Sequence, residues 1–388
     1  MYVLILLGFF ALSALVITKQ YKLCVCALYI AVVFSTFTEP LHTIFDMLRW
    51  AMVLALVPLG ISGISQARSL FWVFFLYLII GLCFIPRAPS ILWSLQVTLL
   101  LIGTLVGFGG TLYRIVRVPE DVTRIFTFLA RLGVVFALVN LVPALLAFGA
   151  GSRYQGLSRQ AGQLAGVGGL FLPFVLWRVL QGPRGALRFA WFGAMSLLGG
   201  EMLISTDRSG LLMGAIAVLY VLNPFTKGRA LKVIGITVAG LAIVGLIFLL
   251  AGPAHRDYMI NRFMGRAESG RLLTGRLEIW RVGFRECMRS PLLGRGIGSA
   301  SLSAVILLDH SYHNAYLSFW YGTGLFGLLA MLIVLFGTVF RARKLSKMCT
   351  NPVFKDGMRA VAGLLLGMMA ASFFERKLAG SANDFTVM

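Results

Sequence analysis

Residues 90–111, SILWSLQVTLLLIGTLVGFGGT, contain no charged side chain. As an α-helix rising about 1.5 Å per residue, a run of this length crosses the ~30 Å hydrocarbon core of a bilayer. Similar apolar runs recur along all 388 residues, which are 59% hydrophobic and 13% charged, with a mean hydropathy of +0.88. That composition excludes a soluble globule. Outer-membrane barrel strands would alternate polar and apolar positions over short segments, and no such pattern is present. The chain therefore reads as an all-α polytopic membrane protein.

Working outward from that run, the sequence predicts about twelve transmembrane helices, near 2–17, 23–38, 44–63, 69–86, 90–111, 125–149, 163–180, 187–204, 209–224, 231–252, 313–340 and 358–374. The first run lacks a basic leader and a small-residue cleavage site, so it reads as a retained span. Basic residues cluster in alternate loops: Lys19 and Lys22; Arg68; Arg114, Arg117 and Arg124; Arg184 and Arg188; Lys227, Arg229 and Lys232; and Arg341, Arg343, Lys344 and Lys347. The positive-inside rule makes these loops cytoplasmic. Segments 150–162, 204–209 and 253–312 then face outward. The expected organisation is one integral membrane domain, 1–388, with the long loop 253–312 between the tenth and eleventh spans. The five cysteines show no disulfide or metal-ligand spacing.

The long outer loop holds nine arginines, no lysine and only five acids. Positive charge beside a span resists translocation, so its presence needs a cause. Arginine's planar fork grips phosphate oxygens in bidentate fashion where lysine offers a point charge. Contact with anionic lipid headgroups would equally favour basic residues here. Within the loop, TGRLEIWRVGFRECMR (274–289) has the spacing of an amphipathic helix. Leu277, Trp280, Phe284 and Met288 line one apolar face, and Arg281, Arg285 and Arg289 run along its edge. PLLGRGIGSAS (291–301) follows as a glycine-rich turn able to approach a ligand closely.

Three further outer segments carry candidate chemistry. LISTDRSG (203–210) places Arg208 at a span end, where an arginine is costly unless it is paired or faces a polar cavity. It serves either a ligand or a structural pair with Asp207. GSRYQGLSRQ (151–160) brings Arg153 and Arg159 to the same side. DHSYHNAYL (309–317) sets His313 and Asn314 at the start of a span, with Tyr316 beside them. Histidine takes a proton near neutral pH, though at a helix start it also serves structure alone.

The succession R-x-x-G at 153, D-R-S-G at 207, G-R-L-x-x-W at 275, P-L-L-G-x-G at 291 and H-N-x-Y-L at 313 resembles the O-antigen ligase and polymerase family. The resemblance is specific from about residue 150 to 340. It implies a GT-C-like glycosyltransferase of the bacterial inner membrane that uses no nucleotide sugar, cofactor or metal. Its active site would face the periplasm, with 253–312 as the periplasmic loop. The donor would be a glycan on undecaprenyl pyrophosphate, and the acceptor lipid A–core or another glycolipid. Membrane lipids are the other expected partners and nucleic acid is not one. Oligomeric state stays open. By motif, Arg208 and Arg276 hold the pyrophosphate and His313 activates the acceptor hydroxyl. Arg153, Arg159, Trp280, Arg281, Asn314 and Tyr316 line the substrate. The family pattern usually has asparagine or proline after R-x-x-G, whereas this chain has Leu157, Ser158 and Arg159. A polymerase would use the same donor with a second lipid-linked repeat as acceptor. A flippase would spread charge through several spans, and mid-span charge here is sparse.

Overall fold

The computed structural model describes residues 21–147, 154–182, 185–222, 253–261, 276–300 and 312–375, with no β-strand among them. In chain order the helices are α1 (Tyr21–Phe34), α2 (Leu41–Ile64), α3 (Ser69–Cys83), α4 (Ile91–Gly103), α5 (Gly110–Ile115), α6 (Pro119–Ala147), α7 (Ala161–Gln181), α8 (Ala186–Ile204), α9 (Arg208–Leu222), α10 (Pro253–Ile260), α11 (Arg276–Met288), α12 (Ala315–Met348) and α13 (Pro352–Ala371). A π-helical segment, Thr104–Gly109, joins α4 to α5.

Among the described residues, six helical stretches are long and apolar enough to cross a membrane: Leu41–Ile64, Ile91–Ile115, Pro119–Leu141, Ala161–Gln181, Ala186–Ile204 and Ala315–Met348. Shorter apolar helices cover Lys22–Phe34, Ser69–Cys83 and Arg208–Leu222. The expected spans at 2–17 and 231–252 lie outside the described residues, as does much of loop 253–312. Large apolar side chains stand on the helix surfaces, among them Leu54, Ile61, Leu92, Phe189 and Phe340. In water such a surface would be a liability; against lipid it is the required one.

Two boundaries toward the C-terminus differ from the sequence reading. The eleventh expected span does not stop at 340: α12 continues to Met348, so the basic cluster from Arg341 to Lys347 is helical. Arginine, lysine and leucine are good helix formers, and positive charge suits a helix C-terminus. The last helix starts earlier than expected. Asn351 Oδ1 accepts from Val353 N (2.9 Å) and Phe354 N (3.3 Å), capping α13, while Pro352 takes the first helical position. Its first turns therefore carry Lys355, Asp356 and Arg359. Buried Asp356 is satisfied by Gln181 Nε2 (2.5 Å) and Arg359 Nη1 (2.8 Å).

The chain forms two compact units, Met1–Asp121 with Leu273–Thr338 and Ser372–Met388, and Val122–Leu272 with Val339–Ala371. In the first, α2 lies backbone to backbone against the π-helical segment. A Cβ on Gly107 would stand 2.6 Å from the Val53 carbonyl oxygen. Without a hydrophobic driving force inside lipid, such small-residue contacts let dispersion and backbone proximity hold helices together. In the second, α9 is pressed on α7 in the same way. A Cβ on Gly210 would fall 2.6 Å from the Ala165 carbonyl carbon.

Candidate active site

In the first unit, α11 packs through Ile279, Gly283 and Cys287 against Ala300, Tyr312, Leu317, Trp320 and Tyr321. The conspicuous apolar face read from the sequence is a different one. Leu277, Phe284 and Met288 are each more than half exposed. Gly283 decides the packed face, because only there can Tyr312 come so near the helix backbone. The outward face is what a bilayer interface would cover. Burial pushes the Cys287 thiol up to about 12, with Glu286 adding and Arg295 opposing, so it is inert near neutral pH.

The segment Ser372–Glu375 ties the starts of α11 and α12 together. Arg276, the first residue of α11, donates from Nη2 to Glu375 Oε1 at 2.5 Å. The other carboxylate oxygen, Oε2, lies 3.2 Å from His313 Nδ1. Asn314 holds this corner from both ends: its Nδ2 donates to Phe373 O (3.2 Å), and its Oδ1 accepts from Leu317 N (3.0 Å) as the cap of α12. Ala315 N donates to Ser372 O at 2.9 Å. Tyr316 stacks on Phe373, with ring centroids 4.5 Å apart, and Trp280 leans on Phe374 at 6.2 Å. The Trp280 indole N–H is buried and has no hydrogen-bond partner among the described residues. His313 itself has φ 46°, a left-handed backbone costing a non-glycine residue of order 1 kcal/mol. The structure thus brings Arg276, His313, Asn314, Tyr316 and Trp280 together. Arg281 stays on the exposed side of α11.

The other loop arginines divide by role. Arg289 donates to Glu286 (2.6 Å), and Arg295 lies 3.8 Å from the same carboxyl, with its guanidinium 5.3 Å from the Tyr321 ring centre. Those two neutralise a buried acid. The glycine-rich turn is also structural. A Cβ on Gly294 would meet Thr323 Cα at 2.6 Å, and Gly296 and Gly298 have φ of 82° and 84°. Its close approach is made to α12 and α4 rather than left for a ligand.

In the second unit, the D-R-S-G motif resolves into parts. Asp207 Oδ2 accepts from Ser209 Oγ (2.8 Å) and Gly210 N (2.9 Å), capping α9. Gly210 provides the contact with α7 described above. Arg208 occupies the first helical position, partly exposed, beside Thr206 with φ 54°. The N-terminal end of α7 meets this corner, since a Cβ on Gly162 would lie 3.7 Å from Asp207 Oδ1. Arg159 therefore shares this end of the unit and is exposed. Upstream, Asn140 fixes the connection by accepting from Tyr154 Oη at its carbonyl (2.6 Å) and from Leu157 N at Oδ1 (2.9 Å). Arg153 lies outside the described residues.

The sequence reading missed Glu375. Its signal was a solitary acid at the end of the last span, the kind of placement that marks function by default. Among the described residues no group of three or more His, Cys, Asp or Glu side chains is placed to hold a metal. No curated protein matches the chain. Residues 192–332 match the model of the O-Antigen ligase family, a stretch that contains Arg208, Arg276, His313, Asn314 and Tyr316.

Proposed function

Because residues 192–332 match the O-antigen ligase family model, we propose that the chain is a member of that family and transfers a glycan from undecaprenyl pyrophosphate to a sugar hydroxyl of lipid A–core. The observation that carries this reading is the linked set Arg276–Glu375–His313, with a phosphate-gripping fork and a proton acceptor on one carboxylate. The chain acts as one membrane domain of the inner membrane, with 253–312 as its periplasmic loop and the chemistry on that side.

The leaving group is already good, so charge stabilisation and positioning dominate. Arg276 and Arg208 donate to the pyrophosphate oxygens as negative charge builds on departure. Glu375 accepts from the His313 Nδ1–H, fixing the tautomer so that Nε2 faces the acceptor hydroxyl and takes its proton. One base and one displacement invert the anomeric carbon. Asn314 holds the His313 backbone, and Trp280 offers its N–H to the ligand. Arg153, Arg159, Arg281 and Tyr316 complete the walls, and the exposed face of α11 rests in the headgroup layer.

Reconstitution with the lipid-linked glycan and either lipid A–core or donor alone tests the assignment. Glycosylated lipid A–core is the expected product, whereas elongated lipid-linked chains formed from donor alone would make the protein a polymerase. Transfer should survive EDTA without added metal. Loss on chelation and recovery with magnesium or manganese would contradict arginine as the phosphate partner. For topology, a cysteine replacing exposed Arg285, in an otherwise cysteine-free protein, should react with an impermeant thiol reagent in intact spheroplasts. Labelling only after lysis would reverse the orientation.

A further inference from the structure

Glu201 sits one turn before the end of α8. It is 2% exposed, and neither carboxylate oxygen has a hydrogen-bond partner among the described residues. An acid that points inward from an apolar helix and makes no bond is among the costliest placements a side chain can take. It is not alone at this end of the second unit. Thr206 Oγ1 and Ser158 Oγ, both on residues no more than 1% exposed, and Gln163 Oε1 are also buried without partners. The turn after α8, the start of α7 and the start of α9 all meet here, as the approach of Gly162 to Asp207 shows. Tyr154, held by Asn140, is close enough to sense the Glu201 carboxylate. Burial, reinforced by that charge, pushes its phenol well above the ordinary value.

The chemistry of these atoms selects a ligand. All are oxygens able to accept hydrogen bonds, and two are hydroxyls able to donate as well. A phosphate, rich in acceptors, has no hydrogen to give the buried Gln163 Oε1. A cation would be opposed by Arg208 at the start of the next helix. Sugar hydroxyls both donate and accept, and carry no charge. We infer that this end of the second unit is a sugar subsite in which Glu201 accepts hydrogen bonds from hydroxyls of the donor sugar next to the pyrophosphate. The inference rests on the donor assignment above and adds the residue that reads the sugar. Unbonded acids are tolerated where a ligand completes them.

The test uses the full chain in nanodiscs with two probes: bare undecaprenyl pyrophosphate, and the lipid-linked glycan extracted from cells that express the protein. Wild type should bind the glycan form more tightly. Glu201→Ala should remove about tenfold of that increment, with affinity for the bare lipid unchanged within about twofold. Glu201→Gln guards against misfolding. It should melt near wild type, because the amide keeps the side chain's size and shape, and should still bind the glycan form less well. The inference is overturned if Glu201→Ala keeps the whole increment, if both probes weaken alike, or if both variants melt well below wild type. A wild-type protein that binds neither probe would instead overturn the donor assignment, and this subsite with it.

Discussion

His313→Asn is expected to lower transfer by ~10²–10⁴-fold, the usual cost of losing a positioned general base, while donor affinity stays near wild type. Asparagine is the informative replacement because His313 holds φ 46°. Among non-glycine residues asparagine accepts that left-handed backbone most readily. The substitution therefore removes the imidazole without disturbing the corner that Asn314 and Ser372 build. His313→Ala would mix loss of the base with a new backbone strain. Rates measured on purified protein at saturating donor separate turnover from binding. Near-native turnover in His313→Asn would remove the histidine from the chemistry even if the family assignment stands.

The apolar runs were legible because bilayer thickness sets their length, a constraint that acts locally on the chain. Ten of the expected spans fall on described helices for that reason. The overrun of α12 was not legible, since Arg341, Arg343, Lys344 and Lys347 have the same composition in a loop as in a helix emerging from lipid. Nor was the packed face of α11. Its sequence offers two stripes, one large and apolar through Leu277, Phe284 and Met288, the other small through Gly283 and Cys287. The choice depends on Tyr312 and Leu317, which lie outside the helix. Arg276, His313 and Arg208 could be named from residue type and motif. Glu375 required the fold, because its partners lie 99 and 62 residues away in the chain.

That distant carboxylate gives the second large effect. Arg276→Lys should reduce kcat/KM by ~10²-fold although charge is kept. The guanidinium gives Nη2 to Glu375, and its planar fork can present the remaining N–H groups to phosphate oxygens at the same time. An ammonium group on a flexible stem has no such fixed fork, so holding Glu375 and aligning a pyrophosphate become competing tasks. Glu375→Gln should also impair transfer, acting on both neighbours: it removes the negative charge that anchors Arg276 and weakens the hold on His313 Nδ1. Because both substitutions break one linked set, the double variant should lose less than the product of the two single losses. Arg285→Ala, on the exposed side of α11, is the comparison and should lose little. Multiplicative losses would mean that Glu375 acts on His313 independently of Arg276. An Arg285→Ala defect as large as that of Arg276→Lys would return the loop arginines to a common role at the lipid headgroups.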